Sequence, residues 1–588
     1  MPTCAEVLAE TLNHAGVTRM FGLPGGEILD FIDAGRRCGI EFLLTRHEAT
    51  ASLMADVTGQ IQRTPGVCVS TLGPGAVNMT LGVANAYLDR SPLLAITATL
   101  ARGAEPYATH QKLDLNAVYR PFTKLALTLD AEDTAAKVQE AIRVSVSPRM
   151  GPVHIALPSD VARMPDRRTG RTADVDPAAP PVGRAPADQV DRVAREIAQA
   201  HRPILVLGLD LNPRSDALAV RAFVDRLDLP TFVTPKAKGM LSEDHPRFCG
   251  VCAGVAGDPV IVDLFERADL LIGLGFEPVE SDKLWHQTMK VVSIGPVSIA
   301  SDQYRPHAEA VGDVTATIAR LEDRPFGPFG WSVEEIDRFR RDLEHVLRPA
   351  ATPRGLSGYE LTRRLRELFP RDTILVTDVG SIKLITTQAW ASYEPLTFFE
   401  SNGLSSMSYA FPGAMAARLQ FPERPVLCTI GDGGFSMTFG ELETCIRERL
   451  HFVTVVFNDS ALSLIDVAQQ QRGQPTYGVR YGSVDFAAAS AALGAWARRV
   501  GTLEALDAAV ADGWRVDRPV VIDAVVDPAE YLAHVRPYDR DSGRGVRDSR
   551  MYSSSTSSTV PLPYFACATR SPRPNAMRVE SKRTTPRG

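Results

Sequence analysis

The chain has 588 residues, of which 44% are hydrophobic and 23% are charged, and its formal net charge is −6 at pH 7. This length exceeds one hydrophobic core and predicts about three domains. The slightly acidic balance argues against nucleic acid as a partner, and no apolar run reaches the ~18 residues of a membrane span. Eight cysteines in so long a chain do not indicate a disulfide framework, so we expect a reducing, cytoplasmic location. Cys249 and Cys252 form a CxxC without a second Cys or His pair, so we expect neither zinc nor redox chemistry there.

The first segment alternates short apolar runs with amphipathic stretches, which is typical of an α/β domain with a parallel sheet. It opens on an amphipathic helical pattern at residues 1–16 and is expected to extend over residues 1–163. Residues 164–188 are rich in Pro, Ala, Asp and Arg, and we interpret them as a linker. The predicted strands of this domain are residues 20–22, 41–45, 66–71, 93–97 and 152–157.

The same alternation predicts a central domain over residues 186–320 and a third domain over residues 356–536. We therefore expect three α/β domains, each with a parallel sheet flanked by helices. The predicted strands are residues 203–207, 230–233 and 270–274 in the central domain and residues 373–377, 426–430, 453–457 and 520–525 in the third.

The composition changes near the end of the chain, where residues 551–588 are rich in Ser, Thr, Pro and Arg. We predict that residues 540–588 form a disordered tail. A basic tail could bind an anionic partner, but a solvated tail without such a role is the favoured interpretation.

Two polar residues directly follow predicted strands of the third domain. Asp432 lies in Gly431-Asp432-Gly433-Gly434 after the strand at 426–430, and Asn458 ends the strand at 453–457. Because the carboxyl ends of parallel strands meet at one edge of a sheet, both side chains should lie where ligands of open α/β sheets bind. Asp and Asn offer the oxygen ligands that Mg²⁺ prefers, and Mg²⁺ takes further oxygens from phosphates. The glycines let the backbone approach a diphosphate, and the following helix points its amide end toward it.

A lone Gly-Asp-Gly often serves only to make a turn, whereas Gly-Asp-Gly followed at this distance by Asn458-Asp459 is a specific signal. The combination resembles the signature of thiamine-diphosphate enzymes, which implies thiamine diphosphate and Mg²⁺ as cofactors. By this resemblance, Asp432, Asn458 and the backbone carbonyl of Ser460 hold the metal. The residues implied to contact the diphosphate are Gly431, Gly433 and Gly434.

Two further loops of the third domain match loops of this family. Residues 377–381 follow a predicted strand and resemble the other diphosphate-contacting loop, which implies cofactor contacts at Gly380 and Ser381; a capped helix start would fit these residues equally well. Residues 403–407 match the loop that holds the cofactor bent. The match implies that the Ser405 carbonyl accepts from the 4′-amino group and that Met407 is the apolar wedge, although a Met in such a loop is usually core filler.

Glu48 is the candidate for activating the cofactor. It follows the predicted strand at 41–45 and opens a predicted helix at 49–63, where a carboxylate is tolerated. Taken alone, Glu48 is an ordinary helix-start residue. Its neighbours in sequence change this interpretation, because residues 21–26 and 72–75 each form a Gly-rich strand-to-helix turn.

These elements together resemble the acetolactate synthase group of thiamine-diphosphate enzymes over roughly residues 1–535. The resemblance implies that Glu48 contacts the pyrimidine N1′ and favours the imino tautomer, whose 4′ nitrogen takes the thiazolium C2 proton. It also implies that Gly25 and Gly26 lie near the 4′-amino group. In this family the Glu-bearing domain of one chain faces the Gly-Asp-Gly domain of another, so we expect a homodimer or a tetramer.

Residues 109–111 are the most discriminating feature within the group. Thr109-His110-Gln111 is more similar to the catabolic acetolactate synthases and the carboxyethylarginine synthases than to the biosynthetic, FAD-containing enzymes, which tend to have Phe-Gln here. His110 could move protons near neutral pH, and Gln111 could hydrogen-bond the substrate carbonyl. The alternative is a solvated histidine on a surface loop.

The central domain departs from the FAD-containing pattern. Where those enzymes place Arg-Phe-Asp-Asp-Arg, this chain has Gly275-Phe276-Glu277-Pro278-Val279-Glu280, with Trp285 downstream. The missing Arg and paired Asp argue against FAD. Residues 462–465, in the region that lines the substrate pocket of relatives, match neither the catabolic acetolactate synthases nor the carboxyethylarginine synthases.

The expected activity is decarboxylation of a 2-oxo acid, with pyruvate as the expected donor, and transfer of the acyl-anion unit to a second carbonyl. A decarboxylase without ligation, or a synthase with a specialised acceptor, stays open as an alternative. A catalytically silent, cofactor-binding regulatory relative is a third possibility; Glu48 argues against it, but fold-level analogy does not exclude it.

Overall fold

Three six-stranded sheets, all with parallel strands, form the framework of the chain. The computed structural model describes residues 1–167, 181–252, 256–280, 289–301, 304–348 and 355–534. Helices flank each sheet, which confirms the predicted fold of three α/β domains. The predicted tail at 540–588, Trp285 and part of the predicted linker (168–180) lie outside the described residues. No helix in the described ranges is long and apolar enough to cross a membrane.

The N-terminal domain holds the first sheet. Its strands are β1 (Arg19–Leu23), β2 (Glu41–Leu44), β3 (Gly66–Ser70), β4 (Leu93–Thr99), β5 (Leu125–Thr128) and β6 (Pro152–Pro158). The strand order is β2-β1-β3-β4-β6-β5. Its helices are α1 (Cys4–His14), α2 (Leu29–Arg37), α3 (Glu48–Gln62), α4 (Pro74–Asn78), α5 (Thr80–Leu88), α6 (Leu115–Tyr119), α7 (Thr134–Val146) and α8 (Ser159–Arg163).

The central domain holds the second sheet. Its strands are β7 (Pro203–Leu207), β8 (Thr231–Val233), β9 (Phe248–Val251), β10 (Leu270–Leu274), β11 (Lys290–Gly295) and β12 (Ala308–Val311). Their order, β12-β11-β10-β7-β8-β9, is that of a doubly wound fold, with a crevice at the carboxyl ends of β7 and β10. Its helices are α9 (Ala187–Gln199), α10 (Ala217–Leu227), α11 (Asp258–Phe265), α12 (Val314–Leu321) and α13 (Val333–Leu347).

The C-terminal domain holds the third sheet. Its strands are β13 (Ile374–Thr377), β14 (Phe398–Glu400), β15 (Val426–Gly431), β16 (Val453–Asn458), β17 (Trp496–Val500) and β18 (Val520–Val525). The strand order is β14-β13-β15-β16-β18-β17. Its helices are α14 (Gly358–Leu368), α15 (Ser381–Ala389), α16 (Ala410–Gln420), α17 (Asp432–Thr438), α18 (Glu441–Arg447), α19 (Ser463–Gln471), α20 (Phe486–Ala492), α21 (Leu503–Gly513) and α22 (Tyr531–His534).

The interior strands are apolar because helices cover both faces of each sheet. β3, β6, β7 and β10 are buried at every residue, as expected for parallel strands. Every strand that the sequence predicted is present, with bounds that differ by at most two residues. The strands that were not predicted are β5, β9, β11, β12, β14 and β17; all but β11 lie at a sheet edge.

One interface joins the N-terminal and C-terminal domains directly. Helix α3 packs against α16, and residues of both helices belong to the same apolar core. At the start of α3, the backbone N–H groups of Arg46 and His47 donate to Oε1 of Glu441, over 2.9 and 3.1 Å. The position of the loop that carries Glu48 is thus fixed by the C-terminal domain of the same chain.

The CxxC cysteines lie in the core of the central domain. Cys249 is part of β9, and Cys249 and Cys252 are 1% and 3% exposed. Their thiols contact the backbone carbonyl oxygens of Arg247 and Val233. Among the described residues, no group of three or more His, Cys, Asp or Glu side chains could hold a metal ion.

Candidate active site

The Gly-Asp-Gly turn lies at the carboxyl end of β15, beside the end of β16, with which it pairs in parallel. Helix α17 begins at Asp432, with Gly431 as its N-cap residue. Asp432 is 2% exposed. Its Oδ2 accepts a hydrogen bond of 2.6 Å from the Ser460 backbone N–H, and its Oδ1 accepts one of 2.6 Å from Gly433. The two strand ends therefore share one edge, as the sequence predicted.

Asn458 ends β16 and is held in one orientation. Its Nδ2 donates to the Asp523 carboxylate over 2.8 Å and to the Val484 carbonyl oxygen over 2.9 Å. Because both donor hydrogens are used, the amide oxygen Oδ1 faces the site, 3.5 Å from the Ser460 hydroxyl. Asp523 thus orients a candidate metal ligand, and no motif in the sequence indicates it.

Two glycines of the turn have close neighbours. A Cβ on Gly434 would lie 1.9 Å from Oδ2 of Asp378, and a Cβ on Gly433 would lie 3.2 Å from the Met407 methyl carbon and from the Tyr481 hydroxyl oxygen. Glycine therefore keeps the surface of the turn open. The contact also places Met407, the predicted wedge, directly against the Gly-Asp-Gly turn.

Tyr481 is a residue of the site that the motifs do not predict. Its hydroxyl donates to Oδ1 of Asp432, and the Ala461 carbonyl oxygen lies 3.3 Å from the same hydroxyl oxygen. Burial, together with the neighbouring Asp432 carboxylate, raises the pKa of Tyr481 above its usual range, so the phenol stays protonated and donates. Tyr481 lies in a polar stretch without periodicity, which offers no signal at the level of sequence.

The loop after β13 contributes a second buried carboxylate, Asp378. This side chain accepts hydrogen bonds from the backbone N–H groups of Ser408, Tyr409 and Ala410, over 3.0, 2.9 and 3.3 Å. Burial raises the pKa of Asp378 to about 7, while the backbone donors lower it. Asp378 therefore holds the end of the loop that carries Met407.

Gly380 and Ser381 lie at the same sheet edge, because β13 is the neighbour of β15. Gly380 has a φ of +111°, a backbone conformation that favours glycine. Helix α15 begins at Ser381 and has no side-chain cap hydrogen bond, so the side-chain-capped start that the sequence also allowed is not formed. The amide end of α15 would suit an anion at this edge.

Glu48 is the first residue of α3 and is 4% exposed. Its Oε2 accepts a hydrogen bond of 3.0 Å from Nδ2 of Asn78. A Cβ on Gly75 would lie 3.0 Å from its Oε1, so Gly75 leaves room for this oxygen. Asn78 therefore fixes one carboxylate oxygen and leaves the other available, which the sequence alone did not indicate.

The Gly-rich turns of the N-terminal domain surround Glu48 at the carboxyl ends of β1 and β3. A Cβ on Gly25 would lie 2.5 Å from the Thr71 hydroxyl oxygen, whereas nothing lies within 4 Å of one on Gly26. Gly73 has a φ of +64°, and a Cβ there would lie 3.0 Å from the Cβ of Gln111. Gln111 is thus folded over the turn that also carries Gly75.

Thr109, His110 and Gln111 are exposed, and Gln111 has a φ of +54°. The structure therefore brings Gln111 to the Glu48 side of the N-terminal domain and leaves His110 on the adjacent exposed loop. Ser405, whose carbonyl oxygen is predicted to accept from the cofactor's 4′-amino group, also has a positive φ of +55°. It lies two residues before Met407.

The predicted site residues form two groups. Glu48, Gly25, Gly26, His110 and Gln111 lie on the N-terminal domain; the remainder lie on the C-terminal domain. Within the described part of the chain, no hydrogen bond joins the first group to the Gly-Asp-Gly turn or to residues 405–408. We call these two groups the N-terminal half and the C-terminal half of the candidate site.

The C-terminal half has the chemistry that Mg²⁺ and a diphosphate require. One carboxylate, one amide oxygen and one backbone carbonyl are hard oxygen donors, and they leave further positions to phosphate oxygens. Burial raises the pKa of Asp432, and among the described residues no Lys or Arg forms an ion pair with it. A divalent cation would offset this buried charge.

Comparisons with known proteins identify the family of the three domains. Models of the N-terminal, central and C-terminal domains of thiamine pyrophosphate enzymes match residues 2–118, 190–321 and 378–524; thiamine pyrophosphate is another name for thiamine diphosphate. An acetolactate synthase of Bacillus subtilis (strain 168) is 30% identical over 90% of this chain and 94% of its own length.

Two further relatives are equally similar. The catabolic acetolactate synthase of Raoultella terrigena is 30% identical over 89% of this chain and 95% of its own length. The probable 2-ketoarginine decarboxylase AruI of Pseudomonas aeruginosa is 30% identical over 86% of this chain and 90% of its own length. The chain therefore belongs to the thiamine pyrophosphate enzymes, and within that family it is acetolactate-synthase-like.

Proposed function

We propose that this chain is a thiamine-diphosphate- and Mg²⁺-dependent enzyme that decarboxylates a 2-oxo acid, with pyruvate as the donor, and transfers the acyl-anion unit to a second carbonyl. The observation that carries the proposal is the buried carboxylate of Glu48, with one oxygen fixed by Asn78 and the other available. A protein that only bound the cofactor would have no need for a buried, oriented carboxyl group at this position.

Glu48 would exchange a proton with the cofactor through one of its two oxygens. Because Asn78 donates to Oε2, Oε2 is an acceptor, and Oε1, which Gly75 leaves unobstructed, is the oxygen that would hold a proton. Oε1 would share that proton with the pyrimidine N1′. The cofactor, when bound, supplies the carbanion nucleophile and the electron sink of the reaction.

The C-terminal half would anchor the cofactor. Asp432, Asn458 Oδ1 and the Ser460 carbonyl would hold Mg²⁺, and Met407 would support the bent cofactor from below. The groups that would contact the diphosphate or the pyrimidine amino group are Gly25, Gly26, Gly380, Ser381, Ser405, Gly431, Gly433 and Gly434. His110 would move protons, and Gln111 would hydrogen-bond the substrate carbonyl.

The two separate halves support a homodimer as the smallest active unit, with a tetramer as the other expected assembly. Large apolar side chains near both halves are exposed in the single chain: Val77 on α4 is 44% exposed, Leu81 on α5 is 36% exposed and Met437 on α17 is 64% exposed. A second copy of the chain would cover them. We further propose a cytoplasmic location.

The crevice of the central domain does not suit FAD. At its mouth Glu280 accepts a hydrogen bond of 2.8 Å from the Leu209 backbone N–H, the type of donor that a dinucleotide phosphate needs. Glu277 forms ion pairs with Arg90 and Arg149 over 3.0 and 2.7 Å. Because Glu280 and Glu277 of the chain itself occupy the Leu209 N–H and the two arginines, we propose an enzyme without FAD.

The direct test is incubation of the purified protein with pyruvate, thiamine diphosphate and Mg²⁺. The proposal expects release of CO₂ and formation of acetolactate. Absence of both products would refute it, whereas CO₂ with free acetaldehyde would identify a decarboxylase without ligation.

A second candidate function is decarboxylation of a larger 2-oxo acid, or transfer to a specialised acceptor. It is favoured by residues 462–465, which match neither comparison group, and by the similarity to a probable 2-ketoarginine decarboxylase. A screen of 2-oxo acids with and without added aldehyde acceptors, followed by mass spectrometry of the products, would separate these activities.

A further inference from the structure

A buried polar junction of all three domains contacts the loop at residues 401–408, here called the cofactor-bending loop. At its centre is Asp89, which follows α5 and is 2% exposed. Its Oδ1 accepts a hydrogen bond of 2.7 Å from the Gly403 backbone N–H, and its Oδ2 accepts a longer one of 3.4 Å from Asn402. A carboxylate of the N-terminal domain thus binds the backbone of a loop in the C-terminal domain.

The backbone of this loop lies directly on the end of α5. A Cβ on Gly403 would lie 2.6 Å from the Leu88 Cβ and 3.0 Å from the Leu88 carbonyl oxygen, so no side chain fits between the two. The Gly403 backbone therefore packs closely against the Leu88 backbone, next to Asp89.

A second hydrogen-bonded connection reaches the residue before Met407. The Ser401 hydroxyl donates to Oδ1 of Asn85 over 2.5 Å, and the Ser406 backbone N–H donates to the Ser401 hydroxyl oxygen over 2.8 Å. Asn85 is on α5, one turn before Asp89, and its Nδ2 contacts Oδ2 of Asp89 at 3.3 Å. Both connections therefore start from the same helix end.

The loop needs this support because its backbone is strained. Ser405 and Ser408 have φ values of +55° and +68°, which non-glycine residues adopt only when their surroundings impose it. Asp378 binds the far end of the loop through the N–H of Ser408. Asp89 binds the near end, so the two buried carboxylates bracket Ser405 and Met407.

Lys236 of the central domain supplies the counter-charge. Its ammonium group lies 2.9 Å from Oδ2 of Asp89, and the two side chains are 5% and 1% exposed. The same ammonium donates to Oε1 of Gln60 over 2.9 Å and to the Glu400 carbonyl oxygen over 3.0 Å. Such a partner offsets the cost of burying a carboxylate, so the central domain takes part in holding the loop.

We propose that Asp89, paired with Lys236, is a positioning residue that sets the geometry of Ser405 and Met407 from outside their own domain. The inference rests on the proposed function, because it assigns to this loop the support of a bent cofactor. It gives the central domain a part in catalysis that does not depend on a bound nucleotide.

The test uses Asp89→Asn, Lys236→Met and the matched control Glu277→Gln. In Asp89→Asn, the new amide group cannot offer an acceptor to both the Gly403 N–H and the Lys236 ammonium, and Lys236→Met leaves Asp89 buried without a counter-charge. Glu277→Gln removes a buried carboxylate that also joins the N-terminal and central domains through Arg90 and Arg149 but has no contact with the loop. All three are made in the full-length chain.

Two exchange measurements and the KM for the 2-oxo acid are read together. The first is amide hydrogen exchange of a peptide covering residues 401–408 in cofactor-free protein; loss of the anchor should speed exchange at least about fivefold in both junction variants. The second is the rate at which bound thiamine diphosphate exchanges its C2 proton for deuterium, which should fall about tenfold or more. The KM for the 2-oxo acid should change by less than about twofold, and Glu277→Gln should match the wild type in all three.

The outcomes separate the two proposals. If wild-type protein does not accelerate C2 exchange over free cofactor, the proposed function fails. If the wild type does accelerate it and the junction variants behave like Glu277→Gln in loop exchange, or in C2 exchange, the positioning role of Asp89 is refuted. If Asp89→Asn does not fold, the Lys236→Met variant decides by the same two readings.

Discussion

At the scale of single residues, Glu48 carries the chemistry that we propose. Glu48→Gln keeps the size of the side chain and can still accept from Asn78, but it cannot carry the transferable proton at Oε1. We expect kcat to fall by about 10²- to 10⁴-fold, with little change in the affinity for Mg²⁺ and thiamine diphosphate. Steady-state kinetics and cofactor titration measure the two effects.

The matched control is Glu41→Gln, because Glu41 is an exposed carboxylate of the same domain that pairs with Arg19. It should leave both parameters unchanged. Unaltered turnover in Glu48→Gln would remove the assigned role. An equal loss of cofactor binding and of kcat would instead mean that Glu48 serves to build the site.

A second prediction at this scale concerns the orientation of Asn458. Asp523→Asn replaces the acceptor of the Asn458 amide group by an amide that can present its own donor, so Asn458 is free to rotate. We expect the apparent affinity for Mg²⁺ to fall about tenfold or more, as is usual when a residue that orients a metal ligand is lost. Titration of cofactor binding with Mg²⁺ tests this; Asp512→Asn, at a partly buried residue that pairs with Arg498, is the control, and equal Mg²⁺ affinities in both variants would contradict it.

These residues also show which parts of the candidate site could be predicted from the sequence. Asp432 and Asn458 were predictable because each directly follows a buried strand and the spacing between them is a recognisable signal. Asn78, Asp523, Tyr481 and Asp89 were not, because each acts on a partner that only the fold brings near. A single sequence records no such pairing between side chains that are distant along the chain.

At the scale of elements, most interior strands could be predicted from the sequence, whereas most edge strands could not. β15 was predicted to within one residue because helices bury it on both faces. β17 was missed, since it contains Arg498 and Arg499 and is only partly buried at an edge. Edge strands are less uniformly apolar, so their pattern resembles that of a loop.

The close packing around Gly434, in the first turn of α17, leads to a prediction about stability. In Gly434→Ala the new methyl group would overlap Oδ2 of Asp378 and push that carboxylate away from Ser408. We expect the free energy of unfolding of the cofactor-free protein to fall by about 1–3 kcal/mol. Gly440→Ala, where nothing lies within 4 Å, should have little effect; denaturant unfolding that gives equal stabilities would show that the turn can adjust.

The buried Glu280, in the crevice between β7 and β10, leads to a prediction about how stability depends on pH. Burial raises the pKa of Glu280 to about 8, and the charge of Asp210 adds to the effect, while the Leu209 N–H, Thr234 and Lys236 act against it. Because the folded-state value lies above the ordinary value of 4.5, the folded protein binds this proton more tightly than the unfolded chain. The resulting stability is complete below about pH 4.5 and is lost as the pH rises through about 8.

Glu280→Gln is the uncharged isostere that isolates this effect. The wild type should lose stability relative to the variant as the pH rises from 5 to about 8.5, on denaturant unfolding curves measured in parallel. If the difference between the two proteins does not change with pH, Glu280 is ionised in the folded chain and the crevice is more hydrated than its burial implies.

At the scale of the whole molecule, the proposed homodimer, in which each site combines halves from two chains, predicts complementation between chains. Glu48→Gln damages only the N-terminal half and Asp432→Asn only the C-terminal half, so each homodimer is inactive at both sites. In a mixed dimer, one site combines the two intact halves and the other combines the two damaged ones. With random assortment, co-expressed chains should recover about a quarter of the wild-type activity per chain. Native mass spectrometry should verify that mixed dimers form; their presence without recovered activity would mean that each chain completes its own site.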